Sequence, residues 1–311
     1  MADDAADDKP PRFSMAPVGI WTGSLDFAPT PRAQELVAEM DELGYGAIWM
    51  PEVAGREVFV HLALLLSASR RIVGATGIAN LWARDAVSMA GAAKALTEAF
   101  PERFLLGIGV SHKSLVDDLR GHRYEKPLAA MSRFLDAMDA APYTATRPAT
   151  PVRRVIAALG PKMLQLAAEK TDGAHPYFVT PEHTAAARGI LGAEPLLCPE
   201  QAVVLDTDPV RARETARTYT RVYLSQPNYV NNMIRLGFSE ADVAEGGTDA
   251  FVDALVAWGD EDRIVARVQA HFDAGADHVC VQPIDPERRG IPDNQWRELA
   301  PALTGLAGRR R

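Results

Sequence analysis

Short, near-continuously apolar segments alternate with amphipathic ones along almost the whole chain, and this alternation constrains the fold more than any other feature. The first segment, "APVGIWTG", gives way to "TPRAQELVAEMDELG", where Thr30 reads as a helix cap, Pro31 as the first helical residue and Gly44 as the stop. "YGAIWM", "RIVGATGI", "RFLLGIGV" and "RRVIAAL" predict strands two to five, with residues apolar at helical spacing between them. "GAHPYFV", "PLLCPEQAVVLD" and "DHVCVQPI" complete a set of eight. Strands buried on both faces read as unbroken apolar runs, and repeated strand–helix units build parallel sheets. Eight such units predict an α/β chain folded as a (β/α)8 TIM barrel rather than an open sheet.

One domain is expected over residues 13–308, after a disordered tail at 1–12. Strands seven and eight are separated by about 206–276, far more than an ordinary strand–helix connection. That stretch reads as a helical insertion, either a lid or a dimer surface, and Pro142 to Pro151 as a surface loop.

Composition removes several functions. Formal net charge is -8, the charges of the two tails cancel, and no Lys/Arg cluster with interleaved aromatics precedes the last residues. Nucleic acid is therefore not an expected partner. No apolar run approaches the roughly 18 residues that a membrane helix needs, and "MADDAADDKPPR" is acidic where a secretion signal is basic and then apolar. A cytoplasmic location without membrane contact is expected. The two cysteines, Cys198 and Cys280, read as buried thiols of a reducing compartment. No His-x-His follows strand one, and none of the six lysines falls inside a strand. Neither a metal site nor Schiff-base chemistry is expected.

In a barrel of this kind the chemistry sits at the C-terminal ends of the strands. Those ends carry Trp21 and Thr22, Glu52, Thr76 to Asn80, Gly109 to His112, Leu159-Gly160, His175 to Tyr177, Glu200-Gln201 and Gln282. Gly107, Gly109 and Ser111 resemble part of a dinucleotide-binding loop, but His112 stands where its third glycine belongs, and close packing explains the glycines equally. Gly160 followed by Pro161 reads as a glycine that admits a ligand and a helix N-terminus suited to phosphate, or as an ordinary turn. Thr76-Gly77-Ile78-Ala79-Asn80 ends a strand without proline, as a simple bulge or as strained backbone. Glu52 has an alternative role in capping the next helix or pairing with Arg56. His61, His122, His183, His271 and His278 read as surface or helix residues.

Together "GATGIANLWARD", "ERFLLGIGVSH", "AALGPKMLQLAAEKTDGAHPYFVTPEHT", "QPNYVNNMIRLGF" and "AGADHVCVQ" resemble the luciferase-like monooxygenase superfamily. More narrowly, they resemble its actinobacterial deazaflavin-dependent oxidoreductases, over about Val18 to Gln282. The resemblance implies a barrel with a late insertion, usually a homodimer, that binds coenzyme F-420 or FMN at its strand ends. It implies a non-prolyl cis peptide at Gly77-Ile78, in a bulge that backs one face of the tricyclic ring. Thr76, Gly77, Ile78, Asn80, Gly107, Gly109 and Ser111, with Gly160 and Pro161, would then line the cofactor and its phosphate tail. Glu52 matches an acidic position near the ring. Val53 stands where sugar-phosphate-oxidising members often carry His, and Val110 where some carry an acid, so His112 or His175 would supply proton transfer.

Trp21, Trp82 and Tyr177, with the insertion, would roof a substrate pocket and exclude water. A deazaflavin carries hydride as nicotinamide does, so the expected reaction is hydride transfer between coenzyme F-420 and a small organic substrate. An FMN-dependent monooxygenase and a non-catalytic flavin-binding barrel are the alternatives.

Overall fold

A computed structural model of the chain describes residues 13–285 and 290–308, so the tail at 1–12 lies outside the described residues. The first half alternates β1 (Val18–Trp21), α1 (Thr30–Glu42), β2 (Ala47–Met50), α2 (Val58–Leu66), β3 (Val73–Thr76), β4 (Ala79–Asn80), α3 (Ala86–Ala99), β5 (Phe104–Gly109) and α4 (Pro127–Asp139). It continues through β6 (Arg153–Ile156), α5 (Pro161–Lys170), β7 (Gly173–Ala174), α6 (Pro181–Leu191), β8 (Leu196–Leu197) and β9 (Glu200–Leu205). Then come α7 (Pro209–Leu224), α8 (Pro227–Arg235), α9 (Glu240–Val243), α10 (Asp249–Leu255), β10 (Ala257–Gly259), α11 (Glu261–Asp273), β11 (Val279–Pro283) and α12 (Asp293–Leu303). Every strand pairing is parallel, as the repeated units require.

β8 and β9 act as one interrupted strand that closes the circle. Cys198 donates its N–H to Ala174 on one side at 2.9 Å, and Pro199 accepts from Cys280 N on the other at 3.0 Å. Counting β3 with β4 and β8 with β9, eight strands form the predicted barrel. Alternation sorts their side chains. Ala47 and Trp49 of β2 point into the lumen with Val73, Ala75, Leu105, Val155, Cys198 and Cys280. Ile48 and Met50 point outward to the helices. Both thiols are free and buried.

Four details refine the sequence reading, the first of them at the bulge that the resemblance implies. The third strand breaks at Gly77-Ile78 and resumes as β4, and the seventh breaks at Pro199, which has no N–H to pair. The stretch expected to be a helical insertion also holds a strand, β10, whose three residues pair beside β9 and are too few to display an alternating pattern. After it, α11 packs on α6, α12 and β9 as a barrel helix does, so the added part ends near Gly259. Finally, α1 begins at Thr30 itself, with Pro29 in the cap position. Among the described residues no helix is long and apolar enough to cross a membrane, and no cluster of three His, Cys, Asp or Glu is placed to hold a metal ion.

Candidate active site

The Gly77-Ile78 peptide bond is cis, and the bulge around it is tied on every side. Gly77 donates its N–H to Met50 O at 2.8 Å and its carbonyl accepts from the Trp21 indole at 3.0 Å; Ile78 O accepts from Glu52 N at 3.3 Å. A Cβ on Gly109 would lie 2.4 Å from Ile78 Cδ1, and one on Gly107 would lie 2.0 Å from Thr76 O. Those two glycines are thus needed because the bulge presses on β5. The Thr76 hydroxyl donates to Gly107 O at 2.7 Å and accepts from Gly107 N at 2.8 Å. Of the expected ring-lining residues Thr76, Gly77, Asn80, Gly107 and Gly109 are buried, and Ile78 is the one residue of 76–80 left partly exposed.

The residues after the bulge each have a structural task. Asn80 Oδ1 accepts from Trp82 N at 2.9 Å, the Trp82 indole donates to Val110 O at 3.0 Å, and Asp85 caps α3 through Ser88 N at 2.8 Å. Arg84 grips both oxygens of Glu52 and reaches Glu57, the cap of α2. Glu52 also accepts from Asn80 N at 2.8 Å. Its carboxylate is nearly buried and engaged on both oxygens, so in this structure Glu52 acts as a strut under the bulge. Arg56, its expected partner, bonds instead to Leu25 O, Ala28 O and His61.

His175 lies sealed in the lumen, stacked on Trp49 with ring centroids 4.3 Å apart, with Nδ1 2.7 Å from Cys198 O. Burial pulls its pKa down to about 4. His61, His183 and His271 lie in helices α2, α6 and α11 and are buried, His122 is exposed, and His278, outside any helix and buried, is the one that fits neither the surface nor the helix reading. His112 stays at the mouth, part-buried beside Tyr229 with centroids 5.5 Å apart. Desolvation depresses its pKa against a bond to Asn228 that raises it. Ser111 adjoins it in a left-handed backbone conformation, φ 58°.

These burials predict a pH profile of stability. Imidazoles in the unfolded chain titrate near about 6.5, but His175, His271 and His278 do so at about 4, about 3 and about 4 in the fold. Between those values the unfolded chain binds up to three extra protons, so stability is lost as pH falls below about 6.5. Glu200 runs oppositely: burial raises it to about 8, so the fold holds an extra proton above the unfolded value and that contribution is lost as pH rises through 8. Urea denaturation should show a maximum near about pH 6–7, with an acid limb of about 2.7 kcal/mol per pH unit, a net two protons, and an alkaline limb of about 1.4. A flat profile between pH 5 and 8 would contradict these burials.

At the mouth a cleft of about 540 Å³ opens between the ends of β1, β2 and β11 and the side of α7. Trp21, Val53, Tyr219, Tyr223, Gln282 and Ile284 are among its walls. Trp21 lines this cleft, and its ring centroid lies 4.9 Å from that of Tyr177. Trp82 is not among the walls of the cleft: its indole ring lies near those of His122 and Tyr124, with centroids 6.4 and 6.5 Å away. Glu200 and Gln282 stand among the inspected strand ends without an assigned role, and Tyr219, Tyr223 and Tyr229 were missed. Their one sequence signal is the i, i+4 spacing of Tyr219 and Tyr223, which puts both on one face of α7.

A second feature lies at the start of α5. Gly160 is its cap residue and Pro161 its first residue. A Cβ on Gly160 would meet only Arg235 Nη2, at 3.9 Å, so the backbone there is approachable. Arg235 donates to Asn232 Oδ1 at 2.9 Å, and the buried Asn232 Nδ2 has no partner. A helix N-terminus, a guanidinium and an unsatisfied amide donor are chemically suited to a phosphate. With partly exposed Ile78 as a flat apolar backing, the residues present fit a flavin-like group.

Comparison with known proteins agrees with this architecture. The chain is 29% identical over 194 residues to a putative coenzyme F-420-dependent oxidoreductase of Mycobacterium tuberculosis, covering 53% of this chain and 56% of the relative. It thus spans little more than half the length of that relative. A 5,10-methylenetetrahydromethanopterin reductase of Methanolobus tindarius is 25% identical over 293 residues, covering 80% of this chain and 89% of the reductase. Among solved structures, an F-420-dependent secondary alcohol dehydrogenase shares the fold with a TM-score of 0.74 at 12% identity, over 93% of this chain and 99% of that one. The luciferase-like monooxygenase family model matches residues 13–278, and the chain belongs to that family.

Proposed function

We propose that the protein is a coenzyme F-420-dependent oxidoreductase that moves a hydride between the deazaflavin and a small organic molecule. The observation that carries this reading is the pairing of Ile78, presented by the Gly77-Ile78 bulge, with the anion cradle of Gly160, Asn232 and Arg235. The named activities of the relatives support it. When bound, a deazaflavin supplies two-electron hydride chemistry. The protein's part is to hold and shield. Ile78 backs the ring, Gly160 and Arg235 hold the phosphate, and Trp21, Val53 and Ile284 keep water from the cleft.

A second reading, an FMN-dependent monooxygenase, is favoured by a structural neighbour solved with FMN, a type II Baeyer-Villiger monooxygenase with a TM-score of 0.68 at 13% identity. Titrating the protein with oxidised coenzyme F-420 and with FMN while following ligand fluorescence separates the two. The deazaflavin is expected to bind at least about tenfold more tightly, a difference of about 1.4 kcal/mol. Tighter binding of FMN would overturn the first reading in favour of the second.

A further inference from the structure

Between the sealed lumen and the cleft runs a chain of hydroxyl groups that the roles given above leave unused. It starts at Glu200 on β9, which is 1% exposed. Its Oε2 accepts from Phe178 N at 3.2 Å and from the Tyr219 hydroxyl at 3.1 Å, and its Oε1 has no partner. The Tyr219 ring lies beside that of Tyr177, with centroids 6.3 Å apart. Tyr177 lies 2.8 Å from the Tyr223 hydroxyl and donates to Gln282 Oε1 at 2.7 Å. Tyr219, Tyr223 and Gln282 line the cleft. The groups that bond Glu200 are a backbone N–H and a phenol, neither of them cationic, and burial holds its carboxyl at about 8, so it keeps its proton at neutral pH. A glutamine would accept the same two hydrogen bonds, so packing alone does not call for an ionisable group here.

We propose that Tyr223 delivers a proton to the oxygen of a ketone or aldehyde substrate in the cleft, with Glu200 as the proton store behind Tyr219 and Tyr177. This rests on the coenzyme reading above. In the reducing direction the carbonyl carbon gains a hydride from the reduced deazaflavin, forming a C–H bond, while the C=O π pair moves to oxygen. That oxygen takes the Tyr223 proton and becomes a hydroxyl. Tyr223 is refilled through Tyr177 and Tyr219 from Glu200, and the Glu200 carboxylate regains a proton from water. The substrate gains two electrons and the coenzyme loses two; the reverse sequence oxidises an alcohol.

Infrared spectroscopy of the protein without coenzyme tests the store. A protonated-carboxyl band at neutral pH should be absent from Glu200→Gln, shifted in Tyr219→Phe, and lost from the parent as pH rises past about 8. Its absence from the parent protein would overturn the proposal. Reduced coenzyme F-420 with cyclohexanone as the neutral ketone probe tests delivery. Tyr223→Phe should lower turnover about 100-fold while binding the oxidised coenzyme within about twofold of the parent. Turnover within about threefold of the parent would overturn the role of Tyr223, and a parent that binds the coenzyme but reduces no neutral ketone would overturn the substrate class. Failure of the parent to bind the coenzyme at all would count against the coenzyme reading, and the infrared band would still decide whether Glu200 stores a proton.

Discussion

Trp49→Ala is expected to destabilise the protein by about 3–5 kcal/mol, the cost of emptying a large aromatic site in a close-packed core. Trp49 is fully buried in the barrel lumen, stacked on His175, and donates its indole N–H to His278 Nε2 at 3.1 Å. Its Cβ also lies 3.3 Å from where a Cβ on Gly77 would be, so it props the bulge from beneath. Deleting the ring opens a cavity whose walls belong to several strands, and a closed barrel cannot collapse to fill it. It also leaves His278 Nε2 without its donor. The midpoint of urea unfolding should fall while the slope stays constant. A loss below about 1 kcal/mol would show that Trp49 is not the centre of the lumen packing.

Gly109→Val should weaken binding as well as folding. The added Cβ would lie 2.4 Å from both Cδ1 and Cγ1 of Ile78, so the Ile78 side chain must leave its place. Overpacking of this kind costs about 1–3 kcal/mol. If Ile78 backs the ring, that displacement reaches the ligand, and affinity for the deazaflavin should fall by about 10- to 100-fold. Gly91→Ala is the matched control, since a Cβ there meets nothing within 4 Å. It should leave affinity unchanged and raise stability slightly, as alanine does inside a helix. Fluorescence titration of both variants checks the pair, and equal affinities would separate Ile78 from the ligand.

The barrel was legible in the sequence because burial on both faces writes itself into each strand as a local apolar run. Close packing at the end of β5 was one of the two readings of Gly107 and Gly109, and the structure places Thr76 O and the Ile78 side chain against them. Long-range partnerships were not. Glu52 looked like an acid available for chemistry because Arg84, 32 residues later, gives no local sign that it will close on both carboxylate oxygens. His278 misled for a related reason: it is buried because Trp49 and Ala16, both remote in sequence, supply its two partners. The hydroxyls from Glu200 to Tyr223 left no local sign of their meeting because they come together from β9, α7, β11 and the loop after β7 only once the barrel has closed.

The central claim is that a deazaflavin lies across the bulge with its phosphate at the start of α5. A crystal structure of the protein with oxidised coenzyme F-420 tests it most directly. The account predicts the ring face against Ile78 and the phosphate within hydrogen-bonding distance of the first-turn N–H groups of α5 and of Arg235. A phosphate bound elsewhere, with the ring away from Ile78, would contradict it.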